Sequence, residues 1–125
     1  MRALHTPGHT RCSMSLLLDD RAIVGDALLV GTVGRSDFYP DGPEEMYHTV
    51  FDKLVNLRED ILVYPAHFGP HHGLPDELST TVGREKRLSE PLNLRNKDDF
   101  IRYMTEGWPP KPARWKKIVE TNDHE

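Results

Sequence analysis

The sequence predicts an α/β (or α+β) domain with helices packed on a sheet. Three observations point there. Two β-type runs flank the turn Asp19-Asp20, and an amphipathic helical stripe opens at Pro43. A short apolar run over residues 61–64 is closed by Pro65, and helical segments follow it. Strands, then a helix, then a further strand among helices is the order expected when helices cover a sheet.

The elements follow in chain order. Residues 2–4 read as a short strand entering the loop His5-Thr6-Pro7-Gly8-His9-Thr10. Residues 12–18 form a strand ending in three leucines, and residues 21–25 form its return, with Ala22, Ile23 and Val24 at its heart. Asp19-Asp20 makes the turn without the glycine that two-residue hairpins favour. A Gly-containing loop spans 31–42. Pro43 then sits at a first helical position with Glu44 and Glu45 in the first turn, a helix start. Met46, Val50, Leu54 and Leu57 recur at helical spacing, and Tyr47, Phe51 and Val55 widen that stripe. The strand at 61–64 leads into a loop over 66–74 holding His67, His71 and His72. Helices are expected over 80–88, 98–104 with Asn96 as its cap, and 113–120. Trp108-Pro109-Pro110-Lys111-Pro112 reads as a stiff connector. There is no internal repeat. One domain is expected, with residues 1–75 as the sheet and metal-motif part and 76–125 as a helical tail.

Composition narrows the function classes. In 125 residues, 16 Lys and Arg stand against 20 Asp and Glu, a net charge of −4. That balance carries no electrostatic footprint for duplex nucleic acid. No run approaches the ~18 apolar residues of a membrane span, and residues 1–10 lack the apolar core of a signal peptide. Neither a nucleic-acid nor a membrane partner is expected. Cys12 is the single cysteine, so no disulfide forms within the chain; this fits a reducing, cytoplasmic setting. Seven histidines remain, several of them in Gly/Pro-framed loops.

Folding the hairpin about Asp19-Asp20 pairs Leu18 with Arg21, Ser15 with Val24 and Ser13 with Asp26. Asp26 then reaches the sheet edge from which the His9 loop leaves. Pro7-Gly8 sets a tight turn presenting His9, and Gly25 allows close backbone approach. His67 also leaves a strand end. An imidazole, a carboxylate and an imidazole are the ligands a divalent first-row metal takes. Any one of them alone reads as an ordinary loop or turn residue; the three together favour metal. His5 reads as a loop hydrogen-bond donor, His48 as a surface residue and His71-His72 as an exposed pair. Cys12 reads as a small buried hydrophobe. The basic runs Arg84, Lys86, Arg87 and Arg114, Lys116, Lys117 read as solvated faces.

The ordered set His5-Thr6-Pro7-Gly8-His9-Thr10, Gly25-Asp26-Ala27-Leu28-Leu29 and Tyr64-Pro65-Ala66-His67 resembles the third, fourth and fifth metal motifs of the metallo-β-lactamase superfamily. Gly34-Arg35-Ser36-Asp37-Phe38 and the run from Ser79 to Arg87 are similar to its persulfide dioxygenase (sulfur dioxygenase) branch, a relative of glyoxalase II. The resemblance implies the C-terminal half of an αββα sandwich, with a mostly antiparallel sheet, a packed helix and a helical tail. It implies Fe(II), with Zn as the alternative, held by His9 and Asp26. His67 matches a second-metal ligand of the dinuclear hydrolases or a pocket residue of the mononuclear dioxygenases. Arg35 would bind substrate, or else pair with Asp37; His5, Thr10 and Asp37 would support the ligands. The implied reaction oxidises a small thiol persulfide, such as glutathione persulfide, to sulfite with O₂.

The sequence departs from that pattern in three places. The opening signature His-x-His-x-Asp-His is absent, so one iron-binding histidine is missing. Phe68 follows His67 where an acidic residue is common. Gly34-Arg35-Ser36-Asp37 stands where glyoxalase II has a Gly-Lys-Phe-Tyr type stretch. The expectation is a dioxygenase fragment with an incomplete site and little activity alone. The alternatives are a thiolester hydrolase of glyoxalase II type and a non-catalytic remnant or binding module. A half-sandwich should also expose strand edges and one apolar sheet face, so pairing with a missing N-terminal half or self-association is expected.

Overall fold

The computed structural model describes residues 1–69 and 74–106. The expected connector at 108–112, the helix at 113–120 and the pair His71-His72 lie outside the described residues. Five strands form one sheet in the order β1-β2-β3-β4-β5: β1 (Arg2–His5), β2 (Met14–Leu17), β3 (Arg21–Gly25), β4 (Leu62–Pro65) and β5 (Thr80–Thr81). The helices are α1 (Gly42–His48), α2 (Val82–Leu88) and α3 (Lys97–Thr105). Only the β3–β4 pairing is parallel among the four ladders, so the sheet is mixed but mostly antiparallel.

The hairpin forms in the register read from the sequence. Leu16 lies opposite Ile23 and Leu17 opposite Ala22, and the Leu18 N–H donates to the Arg21 carbonyl at 2.8 Å. Alternation along the strands then sends Ala22, Val24 and Val63 into the core. There they meet Met46, Val50 and Leu54 from the stripe opened by Pro43. That stripe does not stay a regular helix. A π-turn over Thr49–Lys53 and a 3₁₀ turn over Leu54–Asn56 follow α1. Phe100 and Met104 of α3, both fully buried, close the core from the other side. Asn96 caps α3 as expected, its Oδ1 accepting from the Asp99 N–H at 3.1 Å.

Three expectations are corrected. Residues 80 and 81 are not helix but the edge strand β5, paired with Val63 and Leu62; two β-branched threonines suit that position. The Thr81 hydroxyl then caps α2 by accepting from the Arg84 N–H. The helical portion after residue 75 therefore contributes a strand to the sheet. Cys12 is exposed and precedes β2, because the Thr6 N–H donates to the Ser13 carbonyl at 2.8 Å and closes the loop below it. Gly25 has open space around it rather than a close neighbour. Its φ of +56° is what calls for glycine, turning the chain at the end of β3.

The outer face of the sheet carries an apolar row. Ala3, Leu16, Ile23 and Tyr64 are successive partners across four strands. Ile23 and the neighbouring Met14 are 46% and 50% exposed. This is the exposed sheet face expected of a half-sandwich. Ile23→Thr keeps strand propensity while removing apolar surface. It should change stability by no more than about 0.5 kcal/mol and lower any self-association seen by sedimentation velocity. Val63→Ala, in the core, should cost about 1–3 kcal/mol.

One carboxylate is buried with its oxygens bonded to neutral donors. Glu85 is 1% exposed; its Oε1 accepts from the Gly31 N–H and its Oε2 from the Thr80 hydroxyl, both at 2.8 Å. Burial pushes its pKa above the ordinary 4.5, and those two bonds only partly offset the shift. Ionisation of Glu85 thus disfavours the folded state: the contribution of its neutral form is complete below pH 4.5 and is lost as pH rises through the raised value. Glu85→Gln can accept from Gly31 and donate to Thr80 without charge. The variant should gain in thermal stability relative to the parent as pH rises from 4 to 7. Glu85→Ala, which leaves both partners unsatisfied, should lose about 2–3 kcal/mol.

Candidate metal centre

β1 and β3 are both antiparallel to β2, and β3 is parallel to β4. Strands β1, β3 and β4 therefore run the same way and end at one edge of the sheet. Their continuations carry His9, Asp26 and His67. The Ala66 N–H donates to the Gly25 carbonyl at 2.9 Å, so the residues that follow, Asp26 and His67, leave the sheet side by side.

The three side chains form a row with the carboxylate in the middle. Asp26 Oδ2 lies 3.2 Å from His9 Nε2, and Asp26 Oδ1 lies 2.5 Å from His67 Nδ1. Their side chains are 24%, 20% and 46% exposed for His9, Asp26 and His67. Burial works against charge on both His9 and Asp26. The mutual hydrogen bond and the His67 bond outweigh it for Asp26, holding its carboxyl below the usual range. For His9, the bonds to Asp26 and to the Arg35 carbonyl raise the imidazole above 6.5.

His9 is fixed on both sides. Its Nδ1 lies 2.7 Å from the Arg35 carbonyl oxygen, which can only accept, so Nδ1 carries the proton. Phe38 meets the ring edge-on at 5.4 Å between centroids. The loop bearing His9 is tied to α1 and its π-turn. The Thr49 hydroxyl donates to the Pro7 carbonyl at 2.6 Å, and the Lys53 ammonium donates to the His5 carbonyl.

The residues singled out from sequence divide into two groups. His9, Asp26 and His67 meet as expected. His5 is the loop hydrogen-bond donor read from the sequence, its Nε2 donating to the Arg11 carbonyl at 2.7 Å. Thr10 instead bonds Ser13 Oγ at 2.5 Å. The Arg35 guanidinium grips Asp37 with two bonds of 2.8 Å and lies over the Phe38 ring. That is the Asp37 pairing of the two readings open for Arg35. Sequence reasoning missed three contributors. The Arg35 carbonyl is invisible in sequence, since every residue has one. Thr49, 1% exposed, showed itself only as a hydroxyl on the buried stripe three residues after Met46. Gly34 has no room for a side chain, because a Cβ there would lie 1.9 Å from the Asp26 carbonyl oxygen.

The row sets one carboxylate between two imidazoles. With Nδ1 protonated, His9 Nε2 faces Asp26 Oδ2 as lone pair to lone pair unless a proton or a cation lies between them. Among the described residues, no group of three or more His, Cys, Asp or Glu side chains is arranged so that it could hold a metal ion. The row offers donors rather than a closed cage.

A one-edge cluster of loops on a mixed sheet covered by helices defines an α/β protein. Residues 2–67, more than half of the chain, match the model of the metallo-beta-lactamase superfamily, and the chain belongs to that superfamily. It is 36% identical over 119 residues to "Persulfide dioxygenase ETHE1, mitochondrial" of Bos taurus, covering 94% of this chain and 44% of that one. It is 33% identical over 95 residues to the hydroxyacylglutathione hydrolase GloC of Haemophilus influenzae, covering 74% of this chain and 41% of that one. The crystal structure of ETHE1 from Myxococcus xanthus superposes with a TM-score of 0.83 at 35% identity, covering 97% of this chain and 52% of that one. The di-iron-bound form of TTHA1623 superposes with a TM-score of 0.59 at 28% identity, over 71% of this chain and 41% of that one. The chain thus spans about half or less of the proteins it matches. Among the described residues no helix is long and apolar enough to cross a membrane.

Gly34 offers a direct check on how the site is assembled. Gly34→Ala forces the 34–38 loop off Asp26 and should cost about 1–3 kcal/mol by overpacking. In the heteronuclear NMR spectrum, the His9 and Asp26 amide signals should move more than those of α3.

Proposed function

We propose that this chain carries the later metal motifs of an iron-dependent persulfide dioxygenase, which oxidises a glutathione-type persulfide to sulfite with O₂. The observation that carries the reading is the row His9–Asp26–His67 at the ends of three same-sense strands. The identity to persulfide dioxygenases over nearly the whole chain supports it. His9 and Asp26 would hold iron(II), with His67 at the pocket wall. Iron there would supply dioxygen activation and a binding point for the persulfide sulfur. The chain's own residues set the donor atoms: the Arg35 carbonyl orients His9, and Asp26 spans both imidazoles.

With His-x-His-x-Asp-His absent from the sequence, the donor set is short of a histidine. We place the missing donors on another polypeptide segment seated against the apolar outer face of the sheet. Weak iron binding and little activity by the chain alone follow. A cytoplasmic location rests on the single cysteine, and fractionation of the source cells checks it.

Retention of His67 within 2.5 Å of Asp26 favours one further reading, a zinc thiolester hydrolase of glyoxalase II type. Anaerobic iron loading, followed by O₂ uptake with glutathione persulfide, separates the two. Expected are substoichiometric iron and background O₂ uptake by the chain alone. Both should rise on adding a segment that carries the absent signature, and both should be lost in Asp26→Ala. Full occupancy and turnover by the chain alone would sink the incompleteness. Thiolester hydrolysis with two zinc ions per reconstituted site, and no O₂ uptake, would select the hydrolase.

A further inference from the structure

Arg35 touches the site with its backbone while its side chain is held elsewhere. The guanidinium makes a two-bond fork to Asp37, Nε to Oδ1 and Nη2 to Oδ2, both at 2.8 Å. The two side chains are only 15% and 21% exposed, so solvent competes weakly for the pair. The Arg35 carbonyl accepts from His9 Nδ1 at 2.7 Å. Phe38, in the same loop, lies under the guanidinium and against the edge of the His9 ring. The ring opposes Nε2 to Asp26.

We infer that Asp37 is a positioning residue. By gripping the Arg35 side chain it holds the Arg35 carbonyl on His9 Nδ1, so that His9 offers Nε2 to Asp26 and to a cation. A planar fork resists rotation in a way that a single ion pair does not. It pins the far end of the side chain whose own backbone carbonyl orients His9. If the carbonyl moved away, Nδ1 and Nε2 would compete for the proton, and a ligand nitrogen would be blocked for part of the time. The guanidinium is thereby engaged in shaping the loop.

The tautomer part stands without metal; the affinity part rests on the proposed metal site. Nitrogen-15 shifts of the His9 ring, recorded on the metal-free chain with the imidazole neutral, should show the Nδ1–H tautomer. Arg35→Gln and Asp37→Asn should both shift the ring toward an Nε2–H mixture. An Nε2–H ring in the parent, or variants identical to the parent, would overturn the assignment. Zn(II) titration is the second readout. Asp37→Asn should weaken Zn(II) binding about 10-fold, and the Arg35→Gln/Asp37→Asn double variant should bind no more weakly than either single one. Arg35→Gln separates positioning from simple charge. Losing a cation would tighten Zn(II) binding by charge alone, whereas positioning predicts weaker binding; tighter binding would overturn the inference. Where Arg35→Gln does not fold, Arg35→Lys keeps the charge but not the fork and should also weaken binding. Unchanged Zn(II) binding in Arg35→Lys overturns the inference. If the parent chain binds no Zn(II), the metal-site reading fails, and the ring tautomer still decides the role of Asp37.

Discussion

Between β3 and β4 the ladder runs parallel and ends on the bond from the Ala66 N–H to the Gly25 carbonyl. Parallel strands cannot be joined by a tight turn, so the chain must leave β3, cross the sheet face and return. That crossover contains α1 and its π-turn, whose stripe fills the core. The same pairing forces Asp26 and His67 to emerge together. Remove the parallel register and the helix loses its seat, the sheet loses its continuity with β5, and the carboxylate loses one imidazole.

The two imidazoles beside Asp26 are held to very different degrees. His9 is tied through both nitrogens, edged by Phe38, and carried on a loop bonded to the π-turn through Thr49 and Lys53. His67 is nearly half exposed, and its Nδ1 meets Asp26. A preorganised ligand loses little freedom on taking up a cation, while an exposed one must be ordered as it binds. The rigid side of the row is the side built by the 34–38 loop, which packs against the Asp26 backbone because Gly34 has no side chain. Charge, packing and tautomer thus converge on His9 rather than being shared evenly across the row.

Membership in the metallo-beta-lactamase superfamily and the outer sheet face bear on each other. The chain covers 52% of its Myxococcus counterpart, and the face opposite the helices presents Ile23 and Met14 to solvent. Among the described residues, Ile23 and Met14 keep about half of their surface in solvent. Apolar area of this kind favours association, because each square ångström withdrawn from water contributes about 25 cal/mol. The exposed apolar face accords with a chain that spans about half of that structure.

Period and punctuation in the sequence determined the hairpin register, the start of α1 at Pro43, the Asn96 cap and the meeting of His9 with Asp26. Each depends on residues near one another in the chain or on a single turn whose pairing alternation propagates. The adjacency of His67 was legible as well, since Pro65 ends a strand and puts the histidine just beyond it. Tertiary structure alone decided the rest. It made residues 80 and 81 a strand, because an unpaired β4 edge was there to accept them. It exposed Cys12, because a loop closed beneath it. It sent the Arg35 side chain to Asp37 and the Arg35 carbonyl to His9. Backbone groups are chemically identical along the chain, so which carbonyl orients a ligand is settled only when the chain has folded and one of them comes within reach.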